Sequence, residues 1–395
     1  MENFTFNVST DIRFGKDRLG ELPEVLNQFG KRVLLVYGGG SIKRSGLYGK
    51  IMDLMKENGN EVFEVSGVDP NPRIETVEQG AEICKAEAID VILAVGGGSV
   101  IDCSKAIAGG AFYEGDLWEM VEKRGYMGDA VPLVTILTLA ATGSEMNRGS
   151  VITNLKTKQK LGFGGPSFLP KASFLDPTLT FTVSEYQTAA GSADIFSHLM
   201  ENYFDLTPGT DVQDGVAEGL MRTVIQNAPI ALKDPENYDA RANLMWASSL
   251  ALNGLTGSGK AGTWSTHPME HELSAFYDIT HGIGLAILTP RWMEHVLNDE
   301  TVDKLARFAR EVFHVQESVP EMAARMGIQK LYDYFVACGI PMTLPEVGIE
   351  DDSAFEEMAA QAVAHSKIDT IGFQPLQKED VVAIYEACMT PSSFI

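Results

Sequence analysis

At 395 residues the chain is too long for one simple core, so two domains are expected, and its 45% hydrophobic share is that of a globular protein. Fifty-four acidic against 31 basic residues give a formal net charge of −23, a surface that repels phosphate backbones, so nucleic acid and anionic membrane are excluded as partners. Four cysteines without C-x-x-C spacing (Cys84, Cys103, Cys338, Cys388) argue against a disulfide framework or zinc knuckle and fit a reducing, cytoplasmic compartment.

The opening run MENFTFNVSTDIRFGKD has no basic stretch followed by an apolar one, so no signal peptide is expected. VLLVYGGG at 33–40 reads as a buried strand ending in glycines. A helix around 45–58, a strand at 61–67, a helix around 73–88 and the strand VILAVGGG at 91–98 follow. A further helix starts at Ser99, and 131–145 reads as another buried strand with its exit loop. Its apolar part, 131–141, is far below the roughly 20 residues that span a bilayer. Apolar strands spaced by helices predict a mostly parallel sheet with helices on both faces.

Beyond about 180 the texture changes. Helix formers with a 3.6-residue period dominate 192–204, 216–232, 238–254 and 301–313, the pattern of an all-helical domain. The expected organisation is a dinucleotide-binding α/β Rossmann-like domain over 1–180 and a helical metal-binding domain over 181–395.

Two strands end in the same device, Gly38-Gly39-Gly40-Ser41 and Gly96-Gly97-Gly98-Ser99, the second followed by Asp102. Glycines let the backbone approach a ligand, and a following helix N-terminus offers N–H groups to a phosphate. Neither loop fits G-x-G-x-x-G or a Walker A pattern. Thr138, Thr142, Gly143 and Ser144 close a third strand. All three clusters fall at carboxyl ends of strands, where ligands of such sheets bind, so a dinucleotide or other phosphorylated ligand is expected.

Four of the seven histidines fall between 194 and 281, as Asp194-x3-His198, His267-x3-His271 and His281. One Asp and three His complete a shell for a single divalent ion, and an i, i+4 pair shares one helix face. Imidazole and carboxylate suit Zn²⁺ or Fe²⁺ rather than Mg²⁺ or Ca²⁺. Spacing alone leaves open which of His267 and His271 binds. His295, His314 and His365 have no partner at ligand spacing. Ser99 and Ser144 sit in no G-x-S-x-G elbow, and Asp211, Asp214, Glu218 and Arg222 read as a solvated helix face.

Together GGGSVID at 96–102, LTLAATGSE at 137–145, Asp194-x3-His198 and HPMEHELSAFYDITHG at 267–282 resemble the iron-containing alcohol dehydrogenase family over nearly the whole chain. YGGGSIKRSG at 37–46 and NYDARANLMWAS at 237–248 resemble its butanol dehydrogenase and broad aldehyde reductase branch. The resemblance implies the dehydroquinate synthase-like fold shared by that family, an α/β Rossmann-like domain plus an all-α C-terminal domain. It implies metal ligands at Asp194, His198, His267 and His281, with His271 beside the substrate as a proton relay. Nucleotide contacts are implied at Gly38, Gly39, Ser41, Asn71, Gly97, Gly98, Ser99, Asp102, Thr138, Thr142, Ser144, Asn147 and Lys160.

The implied activity is metal-dependent, NADP(H)-linked interconversion of small aldehydes and primary alcohols, in a homodimer. NADP(H) is expected because NAD-preferring relatives often carry Asp where this chain has Gly38, and Lys43 and Arg44 follow to neutralise a 2′-phosphate. The alternatives are a glycerol or diol dehydrogenase and a dehydroquinate synthase-type lyase. The lyase needs a basic cluster to clamp its substrate, which the helical half lacks beside its histidines.

Overall fold

The computed structural model describes residues 1–262 and 264–395. The chain folds into two units, one of Asn7–Val183 with Glu236–Ser249, the other of Met1–Phe6, Ser184–Pro235 and Leu250–Ile395. The division expected at 180 gives the run at 238–254 to the second part. In the structure most of the Tyr238–Ala251 helix belongs to the first unit. Its own side chains account for this: Met245 joins the core beneath the sheet, Trp246 packs edge-on against Phe14, and Ser249 bonds Glu145.

The first unit is built on β1 (Asp11–Phe14), β2 (Arg32–Gly38), β3 (Glu61–Val68), β4 (Val91–Gly96), β5 (Leu133–Leu137), β6 (Gly149–Asn154), β7 (Gln159–Gly164) and β8 (Ala172–Leu175). Six of them form a wholly parallel sheet in the order β1-β8-β5-β4-β2-β3, while β6 and β7 pair as an antiparallel hairpin. Along β2, Val33 and Leu35 enter one apolar core and Leu34 and Val36 the other, as the two-residue period of a strand requires. Both faces are covered, so the run from Val33 to Val36 is wholly apolar and buried, and each buried Val or Leu contributes about 1.5–3 kcal/mol.

The strands expected at 33–40 and 91–98 stop at Gly38 and Gly96, and the remaining glycines turn the chain into the helices Ser41–Arg44 and Gly98–Gly110. The third buried strand is confined to β5, and the chain then bends through Gly143 at φ 60°. β1, β8 and the hairpin go beyond the sequence reading. The first two are four residues long and gain their order from parallel pairing with each other and, for β8, with β5.

In the second unit Ser184 caps the Glu185–Tyr203 helix by accepting from Gln187 N–H, and the His281–His295 helix packs closely against it. Gly282 permits the approach: a Cβ there would lie 2.0 Å from the Ala190 carbonyl oxygen. The Asp211–Lys233 helix does not present the solvated face expected from the sequence. Asp211 is exposed, but Asp214 and Glu218 are buried. Asp214 accepts from Lys260 at 2.7 Å and from Lys304, and Glu218 accepts from Arg307 at 2.8 Å and from the Tyr203 hydroxyl at 2.9 Å. All four cysteines are free and buried. No helix of the described residues is long and apolar enough to cross a membrane.

Candidate functional site

Asp194 and His198 project from consecutive turns of the Glu185–Tyr203 helix, His267 from the first turn of the Thr266–Tyr277 helix, and His281 from the first residue of the His281–His295 helix. These elements bring ligand atoms of Asp194, His267 and His281 within 4.8 Å of one another. The Asp194 carboxylate oxygen Oδ1 stands 3.6 Å from His198 Nε2 and 3.7 Å from His281 Nε2. Tetrahedral ligands at about 2.1 Å from an ion are about 3.4 Å apart, so these separations fit a bound cation. His267 Nε2 is buried and has no hydrogen-bond partner among the described residues, which leaves its lone pair available to coordinate a cation.

Two glutamates that the sequence reading did not single out hold the imidazoles from behind. Glu201 is buried and accepts from Ser265 N–H at 2.9 Å, from Thr266 Oγ1 at 2.6 Å and from His267 N–H at 2.8 Å, and it lies 3.0 Å from His267 Nδ1. It therefore caps the helix that carries His267 and turns Nε2 towards Asp194. Burial raises its carboxyl, but the hydrogen bonds and the charge of the imidazole outweigh this and hold it below the ordinary carboxylate range. Glu270, fully buried, meets His281 Nδ1 and the Ser274 hydroxyl. Carboxylate–histidine pairs of this kind fix tautomer and ring orientation in metal sites.

His198 has no such carboxylate at Nδ1 among the described residues. Its ring is fixed instead by stacking, 4.8 Å from the His267 ring and 5.6 Å from Trp264. Burial, with His267 and His281 nearby, pushes its pKa well below the usual value, so it stays neutral, the form that ligates metal. His271 lies one turn beyond His267, its ring 6.3 Å from that of His267 and 5.6 Å from that of His281. Ligand atoms of Glu270, His271 and His281 also cluster within 4.8 Å. That second grouping is the poorer shell, because the Glu270 carboxylate and His281 Nδ1 are already bonded to each other.

In the first unit the glycine loops lie at the carboxyl ends of β2 and β4, with Thr138 just after β5. The Gly98–Gly110 helix starts without a side-chain cap. A Cβ on Gly98 would meet Thr142 at 2.3 Å and one on Gly97 would meet Leu139 at 3.3 Å, so both residues let the loop after β5 close over the helix start. Asn71 is buried in the loop after β3, where the neighbouring Pro70 carbonyl takes the Ser99 hydroxyl. Gly38 ends β2 at a register shift, and Ser41 opens the short helix beyond it. Lys160 is buried on β7.

Asp102, Ser144 and Asn147 turn towards one another and towards Lys105, a residue absent from the sequence-based set. Packing raises the Asp102 carboxyl above its ordinary value, and Lys105, Ser144 and Val151 draw it back. The nearby Glu145 carboxyl is raised by burial and accepts from Ser249 at 2.5 Å.

Residues 9–177 match the family model described as iron-containing alcohol dehydrogenase, and residues 188–389 match that of the Fe-containing alcohol dehydrogenase family, C-terminal. The chain is 50% identical over 388 residues to NADH-dependent butanol dehydrogenase A of Clostridium acetobutylicum, covering 98% of this chain and 99% of that one. It is 38% identical to the NADPH-dependent aldehyde reductase YqhD of Escherichia coli, over 89% of this chain and 91% of the other. Among solved structures, NADH-dependent butanol dehydrogenase A of Thermotoga maritima superposes with a TM-score of 0.93 at 38% identity, covering 99% of each chain.

Proposed function

Since the chain belongs to the iron-containing alcohol dehydrogenase family and is an alcohol or aldehyde oxidoreductase, we propose that it interconverts small aldehydes and primary alcohols with NADP(H) and one divalent metal ion. Asp194, His198, His267 and His281 hold the ion in this reading. The observation that carries it is the convergence of Asp194, His267 and His281, with Glu201 and Glu270 bonded to the outer nitrogens of the two imidazoles. When bound, the cation supplies a Lewis acid for the substrate oxygen and the nicotinamide supplies or accepts the hydride.

The chain's own side chains orient and handle protons. Glu201 and Glu270 fix the ligand rings, and the neutral His198 keeps its lone pair for the ion. His271, partly exposed and beside His281, is the group that passes the alcohol proton towards solvent. Protein purified without chelator and subjected to elemental analysis, then assayed for NADPH oxidation with butanal, tests the reading. Asp194→Ala and His198→Ala are expected to lose both metal and turnover while still binding nucleotide. Turnover that survives metal loss would overturn it. The same assay run with 1,3-propanediol and glycerol separates the diol alternative.

Two features support NADP(H). Gly38 offers no carboxylate to repel a 2′-phosphate, and a Cβ there would press on the Val68 carbonyl at 3.3 Å. Lys43 sits over the rings of Tyr37 and Tyr48, at 5.0 and 4.7 Å, and both tyrosine hydroxyls donate to Glu64. The second reading, NADH, is favoured by the 50% identity to an enzyme named NADH-dependent. The ratio of kcat/KM with NADPH to that with NADH decides; equal or better turnover with NADH would overturn the first reading. The homodimer that the resemblance implies is checked by sedimentation.

A further inference from the structure

Lys105 is buried to 0% exposure in the middle of the Gly98–Gly110 helix, a position where a charge is costly unless it is fully bonded. Its ammonium meets three acceptors, Ser144 Oγ at 2.8 Å, Asn147 Oδ1 at 3.0 Å and the Gly149 carbonyl at 2.7 Å. An ammonium has three N–H donors and a neutral amine two, so the protonated form satisfies the set. Ser144 passes the interaction on by donating to Asp102 Oδ1 at 2.5 Å, whose other oxygen accepts from Val151 N–H at 2.9 Å. Asn147 in turn bonds the Gly143 carbonyl and the Gly149 N–H. The loop 142–148 has no regular structure beyond the short Ser144–Met146 turn, and this network is what fixes it.

We infer that Lys105 is the positioning residue of the nucleotide loops, holding Thr142, Ser144 and Asn147 in the conformation that receives the nicotinamide nucleotide without itself touching the reacting atoms. The inference rests on the nucleotide reading above. It predicts that nucleotide affinity depends on Lys105 while the chemical step does not. Burial lowers the Lys105 pKa to about 8, against the opposing pull of Asp102 and Glu145, and Lys160 is the other cation near Asp102. Loss of the proton would leave one acceptor unbonded and loosen the loop, so affinity should fall as pH rises through that value.

The test is fluorescence titration of NADPH and of NADH into wild type, K105M and K105R, with metal content and steady-state turnover measured on the same preparations. Removing a buried charged hydrogen-bond donor should raise the nucleotide Kd of K105M about tenfold, with kcat at saturating nucleotide and metal content near wild type and partial rescue in K105R. A merely structural lysine would lower the melting temperature without separating Kd from kcat. K105M binding within about twofold of wild type, or losing kcat at unchanged Kd, would overturn the inference. Should K105M fail to fold, the wild type still decides: its Kd should rise between about pH 7 and pH 9, and a flat profile overturns the proposal. A wild type that binds neither nucleotide overturns the nucleotide reading and this inference with it.

Discussion

Glu201 accepts from two backbone N–H groups, one hydroxyl and one imidazole, so four groups converge on two oxygens. An amide in its place would turn a donor towards other donors. Glu201→Gln is therefore expected to weaken metal binding by about 10–100-fold, as loss of an outer carboxylate does in other metal sites, and Glu201→Ala more. Competition with a chromogenic chelator measures this directly. An unchanged metal affinity would remove Glu201 from the site. The histidines were legible in the sequence because there are only seven of them and four crowd one window. Glu201 was not legible, because it is one of 54 carboxylates and stands 66 residues from the ring it orients. Glu270 lies 11 residues from His281, a spacing that follows from the turn between two helices and matches no ligand motif. Lys105 was hidden for a related reason: a lysine within a helix reads as surface until its three acceptors are known.

Two elements make predictions of their own. The Glu185–Tyr203 and His281–His295 helices carry three of the four proposed ligands and approach through Gly282. Gly282→Ala would drive a methyl group into a backbone carbonyl, which cannot swing aside as a side chain can. The expected result is loss of metal and a lower melting temperature together; a variant with normal metal content would refute the packing argument. The buried charges around Asp214 concern stability instead. Burial raises the Asp214 carboxyl, but Lys260 and Lys304 outweigh it and hold it below its ordinary value, whereas Lys304 is itself lowered by burial. The carboxylate is thus the stabilising partner.

A depressed carboxyl contributes stability above its unfolded pKa of about 3.9, and that contribution is lost as pH falls through the lower folded value. Thermal unfolding below about pH 4 should show this loss in wild type and little of it in Asp214→Asn, which at neutral pH should be less stable by about 3 kcal/mol. Sequence pattern placed this helix correctly but misjudged its face, since the basic partners come from 260, 304 and 307. The central strands were legible for the opposite reason. β2, β4 and β5 are buried on both faces and read as mainly apolar runs, interrupted within β5 by Thr135, while β1 and β8 are too short to carry a period.

For the whole molecule, ligands that bind only the folded state should raise its stability by mass action. A cation at about 100 times its Kd adds about 2.7 kcal/mol, and chelation should remove it. Differential scanning calorimetry with and without chelator is expected to show a drop in melting temperature in wild type and none in Asp194→Ala. A wild-type midpoint that ignores the chelator would count against the proposed metal shell. The 3.6-residue periodicity and the apolar strands spaced by helices set out both kinds of layer in advance. What they could not convey is which unit a helix joins, because that depends on single contacts such as Ser249 with Glu145.

The return of Glu236–Ser249 to the strand-bearing unit bears on how such a gene can be cut. The polypeptide passes from one unit to the other at 6–7, at 183–184, at 235–236 and again at 249–250. A fragment ended at 183 would encode every strand of the sheet, yet it would lack Ser248 and Ser249 and leave the Glu145 carboxylate without its donor. Neither half can be exchanged with a homologue by a single recombination point. Chimeras of this chain need matched crossovers on both sides of 236–249, and shuffled libraries that ignore that segment should yield insoluble products.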